Sequence, residues 1–143
     1  MNHQNLENAK KKLIAENYTC VLCCGETYHT STHRGVKPLA QWLASGTDFS
    51  QFAAADKVIG RATAFLYLLL GIRTVYAHVI SRPALAVFQA HGIHAQYAEL
   101  VDNIINRKGD GLCPFEEVVL SIEDPQQAHR AILQKMQQLN ISL

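Results

Sequence analysis

The chain has 143 residues, 13 basic and 12 acidic side chains, and a formal net charge of +1. That length fits one domain, residues 1–143, with a continuous core, and 48% hydrophobic against 17% charged residues excludes wholesale disorder. So even a charge balance also argues against long nucleic acid as a partner, which needs a clustered basic surface, while leaving room for a small charged ligand.

The cysteines are Cys20, Cys23, Cys24 and Cys113, three of them within five residues. That is a poor disulfide framework, so a reducing compartment is expected. The N-terminal stretch is polar through Lys12 and carries no apolar signal region, which makes the cytoplasm the expected location. No membrane partner is expected either: the most apolar run, Val58 to Leu70, is too short for a span and contains Arg61.

In chain order, Asn5 to Glu16 reads as an amphipathic helix with Leu6, Ala9, Leu13 and Ile14 on one side. Tyr18 to Cys24 is a strand, Gly25-Glu26 a turn, and Tyr28 to Thr32 its antiparallel partner. Pro38 to Ala44 forms a short helix closed by Gly46. After a polar loop, Thr47 to Gln51, the pattern predicts a long buried helix from about Ala54 to Leu70, capped by Gly71. Thr74 to Ile80 is an interior strand, Pro83 to His91 a helix ended by Gly92, and Ile93 to Glu99 another strand. A strand–helix–strand unit of this length makes its two strands parallel. Asn106 to Cys113 is a loop, Pro114 opens a helix to about Ile122, and Asp124-Pro125 starts a last helix to about Leu139. The order predicts an α/β fold, a three-layer α/β/α sandwich around a mixed sheet.

Three polar clusters stand out. Asp56-Lys57 falls at the head of the predicted long helix. Asp56 suits a cap there, whereas Lys57 opposes the dipole and could bind an anion or act as a base beside the acid. Ser81-Arg82-Pro83 lies where an interior strand meets a helix, an edge that ligands favour, although a plain serine cap with a solvated arginine is the favoured account, since any such junction looks like this. The loop from Asn106 and Arg107 delivers Cys113 to a helix start, with Glu116 three residues on. A thiol so placed is a candidate nucleophile and Glu116 a candidate proton relay; the plainer reading is a half-buried cysteine and a first-turn acid. Cys20 and Cys23 cannot share a metal on one regular strand, and the seven histidines show no ligand spacing.

The segments Arg34-Gly35-Val36-Lys37-Pro38-Leu39, Ala55-Asp56-Lys57-Val58-Ile59-Gly60-Arg61-Ala62, Ile80-Ser81-Arg82-Pro83-Ala84-Leu85 and Asn106-Arg107 through Cys113-Pro114-Phe115-Glu116 together resemble a small bacterial family of uncharacterised domains with a cytidine-deaminase-like fold. Zinc deaminases start one helix with His-x-Glu and the next with Pro-Cys-x-x-Cys. The corresponding starts are here Asp56-Lys57-Val58 and Pro83-Ala84-Leu85-Ala86-Val87, so no metal ligand set and no cofactor is expected. The resemblance implies a pocket lined by Asp56, Lys57 and Ser81, with Arg34, Asn106, Arg107, Cys113 and Glu116 arriving from loops. Its expected partner is a small anionic or nucleotide-like molecule, with Cys113, Lys57, Asp56 and Glu116 as candidate catalytic groups and Arg34, Ser81, Asn106 and Arg107 as candidate ligand-binding groups. The alternatives are a non-catalytic sensing or protein-interaction module, and a zinc hydrolase built from Cys113 and regrouped histidines. A homo-oligomer is expected by analogy alone.

Overall fold

The computed structural model describes residues 2–33, 35–106 and 108–143. Helix α1 (Asn2–Ala15) leads to the hairpin β1 (Cys20–Cys24) and β2 (Thr27–Ser31), then α2 (Lys37–Ser45) and β3 (Ala53–Ile59). There follow α3 (Arg61–Leu70), β4 (Thr74–Ser81), α4 (Arg82–Ala90), β5 (His94–Val101), α5 (Pro114–Val119) and α6 (Pro125–Gln138). The five strands form one sheet in the order β2-β1-β3-β4-β5. Strand β1 is antiparallel to both neighbours, while β3, β4 and β5 run parallel. The mixed α/β sandwich is the predicted architecture, and the right-hand half is the predicted strand–helix–strand unit.

Each face of the sheet is covered by what its strands expose. Alternation along β1 sends Val21 and Cys23 to one side, where they pack with Ala53, Ala55 and Tyr76 beneath Leu6, Ala9 and Leu13 of α1. Cys20 and Leu22 point the other way, into the larger core under α2 to α6. Helix α3 is the centre of that layer: it contacts α2, α4, α5 and α6, and seven of its ten residues are buried. Burial on every side explains why its sequence is apolar without a polar stripe.

One prediction is overturned. Residues 53 to 59 are not the first turns of a long helix but the central strand β3, and the helix begins only at Arg61. Three successive alanines and a continuous apolar run imitate a buried helix, because a strand covered on both faces shows no polar alternation. Gly60 is the break. Its N–H donates to Thr63 Oγ1 at 3.0 Å, and the same hydroxyl donates back to the Gly60 carbonyl at 3.0 Å, which fixes the first turn of α3.

Strand β3 also slips out of strict alternation. Asp56 meets Tyr67 of α3, and Ile59, three positions on, lies in the same core, where alternation would place it on the far face. The pairing of β3 with β4 passes over Lys57 and His78, and that of β4 with β5 passes over His78 and Ala98. The slip therefore crosses three strands in one row. It brings Ile59, Ile80 and the starts of α3 and α4 against the helical layer.

Candidate functional site

Asp56 is buried in β3 under α3. Tyr67 Oη donates to its Oδ2 at 2.6 Å, and the Val58 N–H donates to its Oδ1 at 3.2 Å. Cys20 Sγ lies 3.0 Å from the same phenol oxygen, so thiol, phenol and carboxyl form one hydrogen-bonded chain across β1, α3 and β3. Burial raises the Asp56 carboxyl to about 7 against the pull of its hydrogen bonds. Burial, with the acid beside them, also pushes Cys20 and Tyr67 upward. The expected pairing of Asp56 with Lys57 does not occur. Neighbours in a strand point to opposite faces, and Lys57 Nζ donates instead to Asn17 Oδ1 at 2.8 Å, beyond the end of α1.

Glu116 caps a helix other than its own. From α5 it reaches the start of α3, where Oε1 accepts the Arg61 N–H at 2.7 Å and Oε2 accepts the Ala62 N–H at 2.9 Å. Two N–H groups that a helix start leaves unpaired are thereby satisfied by a carboxylate set on the positive end of the dipole. Burial pushes the Glu116 carboxyl up, while those two hydrogen bonds and the Arg61 charge pull it down. A side chain at position 60 would have to displace the Glu116 carboxylate, since an added Cβ would sit 2.6 Å from Glu116 Oε1 and 2.7 Å from its carboxyl carbon. Arg61 returns the contact: its Nε donates to the Val119 carbonyl at 3.0 Å, its Nη2 donates to the Ile122 carbonyl, and Nη2 lies 3.5 Å from Glu123. Its guanidinium also covers the Phe65 ring. Glu116 and Arg61 thus cap each other's helices, α3 at its start and α5 at its end.

The other expected site residues are engaged locally. Ser81, fully buried, caps α4 by accepting the Ala84 N–H at 3.2 Å. Asn106 organises its own loop: Oδ1 accepts from the Gly109 and Asp110 N–H groups and Nδ2 donates to Asp110 Oδ1. Cys113 stands immediately before α5, half-buried against the larger core. Arg34 and Arg107 lie outside the described residues. Among the described residues, no buried side-chain nitrogen or oxygen lacks a partner, and no three His, Cys, Asp or Glu side chains are grouped to hold a metal ion. Sequence reasoning missed Tyr67, Gly60 and Arg61. The signals were a phenol within an otherwise dry helix and the Gly-x-x-Thr spacing of Gly60 and Thr63.

Two clefts lie beside this edge. One cleft, of about 550 Å³, is bordered by Thr32, His33, Lys37, Phe115, Asn140 and Ser142. A second, of about 280 Å³, shares Thr32 and His33 and continues to Tyr18, Gln41 and Trp42. Neither is lined by Asp56, Lys57, Ser81, Cys113 or Glu116, and among the described residues no acidic side chain lines either one. The ridge between them is fixed by backbone contacts, with Thr19 Oγ1 donating to the Ser31 and His33 carbonyls and the His33 N–H donating to Ser31 Oγ.

Among curated proteins, none matches the chain. A solved structure that does is described as the crystal structure of a DUF1893 family protein (TM1506) from Thermotoga maritima. It is 28% identical over 94% of this chain and 92% of that one, with a TM-score of 0.85. The family model described as TM1506, domain of unknown function (DUF1893), matches residues 8–136. Nearly the whole fold, from within α1 to the last turn of α6, falls inside that match, and the chain belongs to the DUF1893 family.

Proposed function

We propose that this chain is a cytidine-deaminase-like scaffold converted to binding: it holds a small anionic or nucleotide-like molecule without altering it. Two adjacent parallel strands, β3 and β4, each run into a helix, and zinc deaminases open two helices with their metal ligands and the proton-shuttling glutamate. Here the starts read Gly60-Arg61-Ala62 and Pro83-Ala84-Leu85-Ala86-Val87 and contain neither imidazole nor thiol.

The observation that carries the reading is Glu116. Both of its oxygens are committed to the N–H groups of Arg61 and Ala62, the place at the head of α3 where a substrate or catalytic acid would work. A carboxylate held this way is poorly disposed to relay protons. Asp56 is shielded behind Tyr67, and Lys57 serves Asn17 on the far side of the sheet. Cys113 opens a helix of only six residues, a weak dipole for stabilising thiolate.

The test combines two measurements on the intact protein. A panel of nucleosides, nucleotides and small carboxylates is screened by thermal melting, where a ligand of the folded state raises the midpoint. The same mixtures are then assayed for ammonia and for any change in the added compound, and Cys113 alkylation is timed against a free thiol. The expected result is a raised midpoint, unchanged ligand and alkylation no faster than the free thiol. Turnover of any panel member overturns the non-catalytic reading, and a panel that leaves the midpoint unmoved overturns the binding one.

A further inference from the structure

We infer that the two clefts flanking the Thr32–His33 ridge are a site for a small phosphorylated molecule, with the phosphate held by Lys37 and His33. The inference rests on the binding reading above and goes further by naming a place and a chemical class.

Three features select that class. Among the described residues, the lining carries cationic and neutral donor groups but no carboxylate, although the chain has nearly as many acids as bases. Lys37 takes part in no ion pair among the described residues, unlike Arg61 and Arg82, whose guanidiniums face Glu123 and Asp102. Its charge is therefore free for a ligand, and a lysine serves phosphate as a point charge. Around it stand neutral donors, with Thr32, Asn140 and Ser142 in the larger cleft and Gln41 in the smaller. Phosphate uses such hydroxyls and amides well, whereas an ammonium ligand would find no counter-charge.

The space also fits. About 550 Å³ lies within the range that small-molecule sites occupy, and aromatic side chains stand at both ends, Phe115 in one cleft and Trp42 in the other. A planar group attached to the phosphate thus has an apolar surface on either side of the ridge. The ridge itself needs no ordering on binding, because Thr19 and Ser31 already hold the His33 backbone.

The experiment is calorimetric titration of the full chain with cytidine monophosphate, inorganic phosphate and uncharged cytidine, repeated on Lys37→Ala and His33→Ala. Amide chemical shifts locate the contact. The expected result is binding of the monophosphate and of phosphate in competition, none of cytidine, and shifts centred on Thr32, His33, Lys37, Gln41, Trp42 and Phe115. Lys37→Ala should weaken the monophosphate by about tenfold or more, the loss of a charge-assisted hydrogen bond. Cytidine binding as tightly as its phosphate overturns the class. Phosphate binding that Lys37→Ala leaves intact, with shifts elsewhere, overturns the place but spares the binding reading. If no phosphate probe binds at millimolar concentration, the inference falls, and the broader panel decides whether the binding reading falls with it.

Discussion

Two regions meet at α5 and treat their polar groups in opposite ways. At the heads of α3 and α4 every such group is consumed: Glu116 on Arg61 and Ala62, Arg61 on Val119 and Ile122, Ser81 on Ala84. In the clefts one residue away, Lys37 meets no carboxylate. Phe115 borders the cleft while Glu116, next in sequence, fills the helix start. The contrast teaches that titratable groups can gather by topology and still be structural. Spare bonding capacity, rather than proximity alone, separates a site from a brace. If that is right, removing a consumed group costs stability, and removing a spare one does not.

The largest effect is expected at Glu116. Glu116→Ala leaves the Arg61 and Ala62 N–H groups without acceptors in a buried setting, a loss of about 2–4 kcal/mol in urea unfolding. Acetate should enter the vacated space and raise the midpoint of the variant more than that of the parent. Gly60→Ala should destabilise in the same direction, because the added methyl occupies the position of the carboxylate. A Glu116→Ala protein as stable as the parent would show that the two helices do not depend on the mutual cap.

Next comes the buried chain of Cys20, Tyr67 and Asp56. Burial pushes the Asp56 carboxyl up to about 7 in the folded protein, from the ordinary aspartate value of 3.8, so the folded state binds its proton more tightly than the unfolded state does. The stability this adds is complete below the unfolded value and is lost as pH rises, the loss levelling off once pH passes about 7. The slope is at most about 1.4 kcal/mol per pH unit within that window. Asp56→Asn should flatten this part of the profile in denaturant unfolding followed from pH 4 to 9. Tyr67→Phe removes the donor to Asp56 and should cost about 1.5–3 kcal/mol. An identical pH profile for Asp56→Asn and the parent would mean that the acid is not the titrating group.

Smaller effects belong to the helix caps. Ser81→Ala and Asp124→Ala each remove an acceptor for a first-turn N–H, from Ala84 and Gln127, and each should cost about 1 kcal/mol. Ser81 should be the costlier, since its partner is buried and Asp124 is exposed, so water can replace the lost acceptor only at α6. Equal losses would remove burial as the reason.

Local punctuation made most of the fold legible. Gly46, Gly71 and Gly92 end helices or follow their ends, Pro83, Pro114 and Pro125 lie in first turns, and Asp124 caps α6 as its spacing implied. Strand β3 was illegible for a physical reason: between β1 and β4, its first four residues are buried on both faces and have no solvent side to write a period of two. The candidate site was harder still. Its polar residues stand out in the sequence, but the partners of Asp56 and Glu116 come from distant chain segments. Glu116 meets residues 54 and 55 positions away, and Tyr67 meets Cys20 across 47. Periodicity carries no record of such contacts.

The smallest expected effect is the sharpest test of the contrast. Lys37 opens α2, where a positive charge opposes the helix dipole, and none of the described ion pairs holds it there. Lys37→Ala should therefore leave stability within about 0.5 kcal/mol of the parent, or raise it slightly. A brace and a binding group differ in just this respect: Glu116 stabilises the protein alone, whereas Lys37 stabilises it only with a ligand present. Melting the Lys37→Ala protein with and without cytidine monophosphate separates the two roles. Equal midpoints without ligand and a difference with it would place Lys37 among the binding groups, while a large loss without ligand would return it to the scaffold.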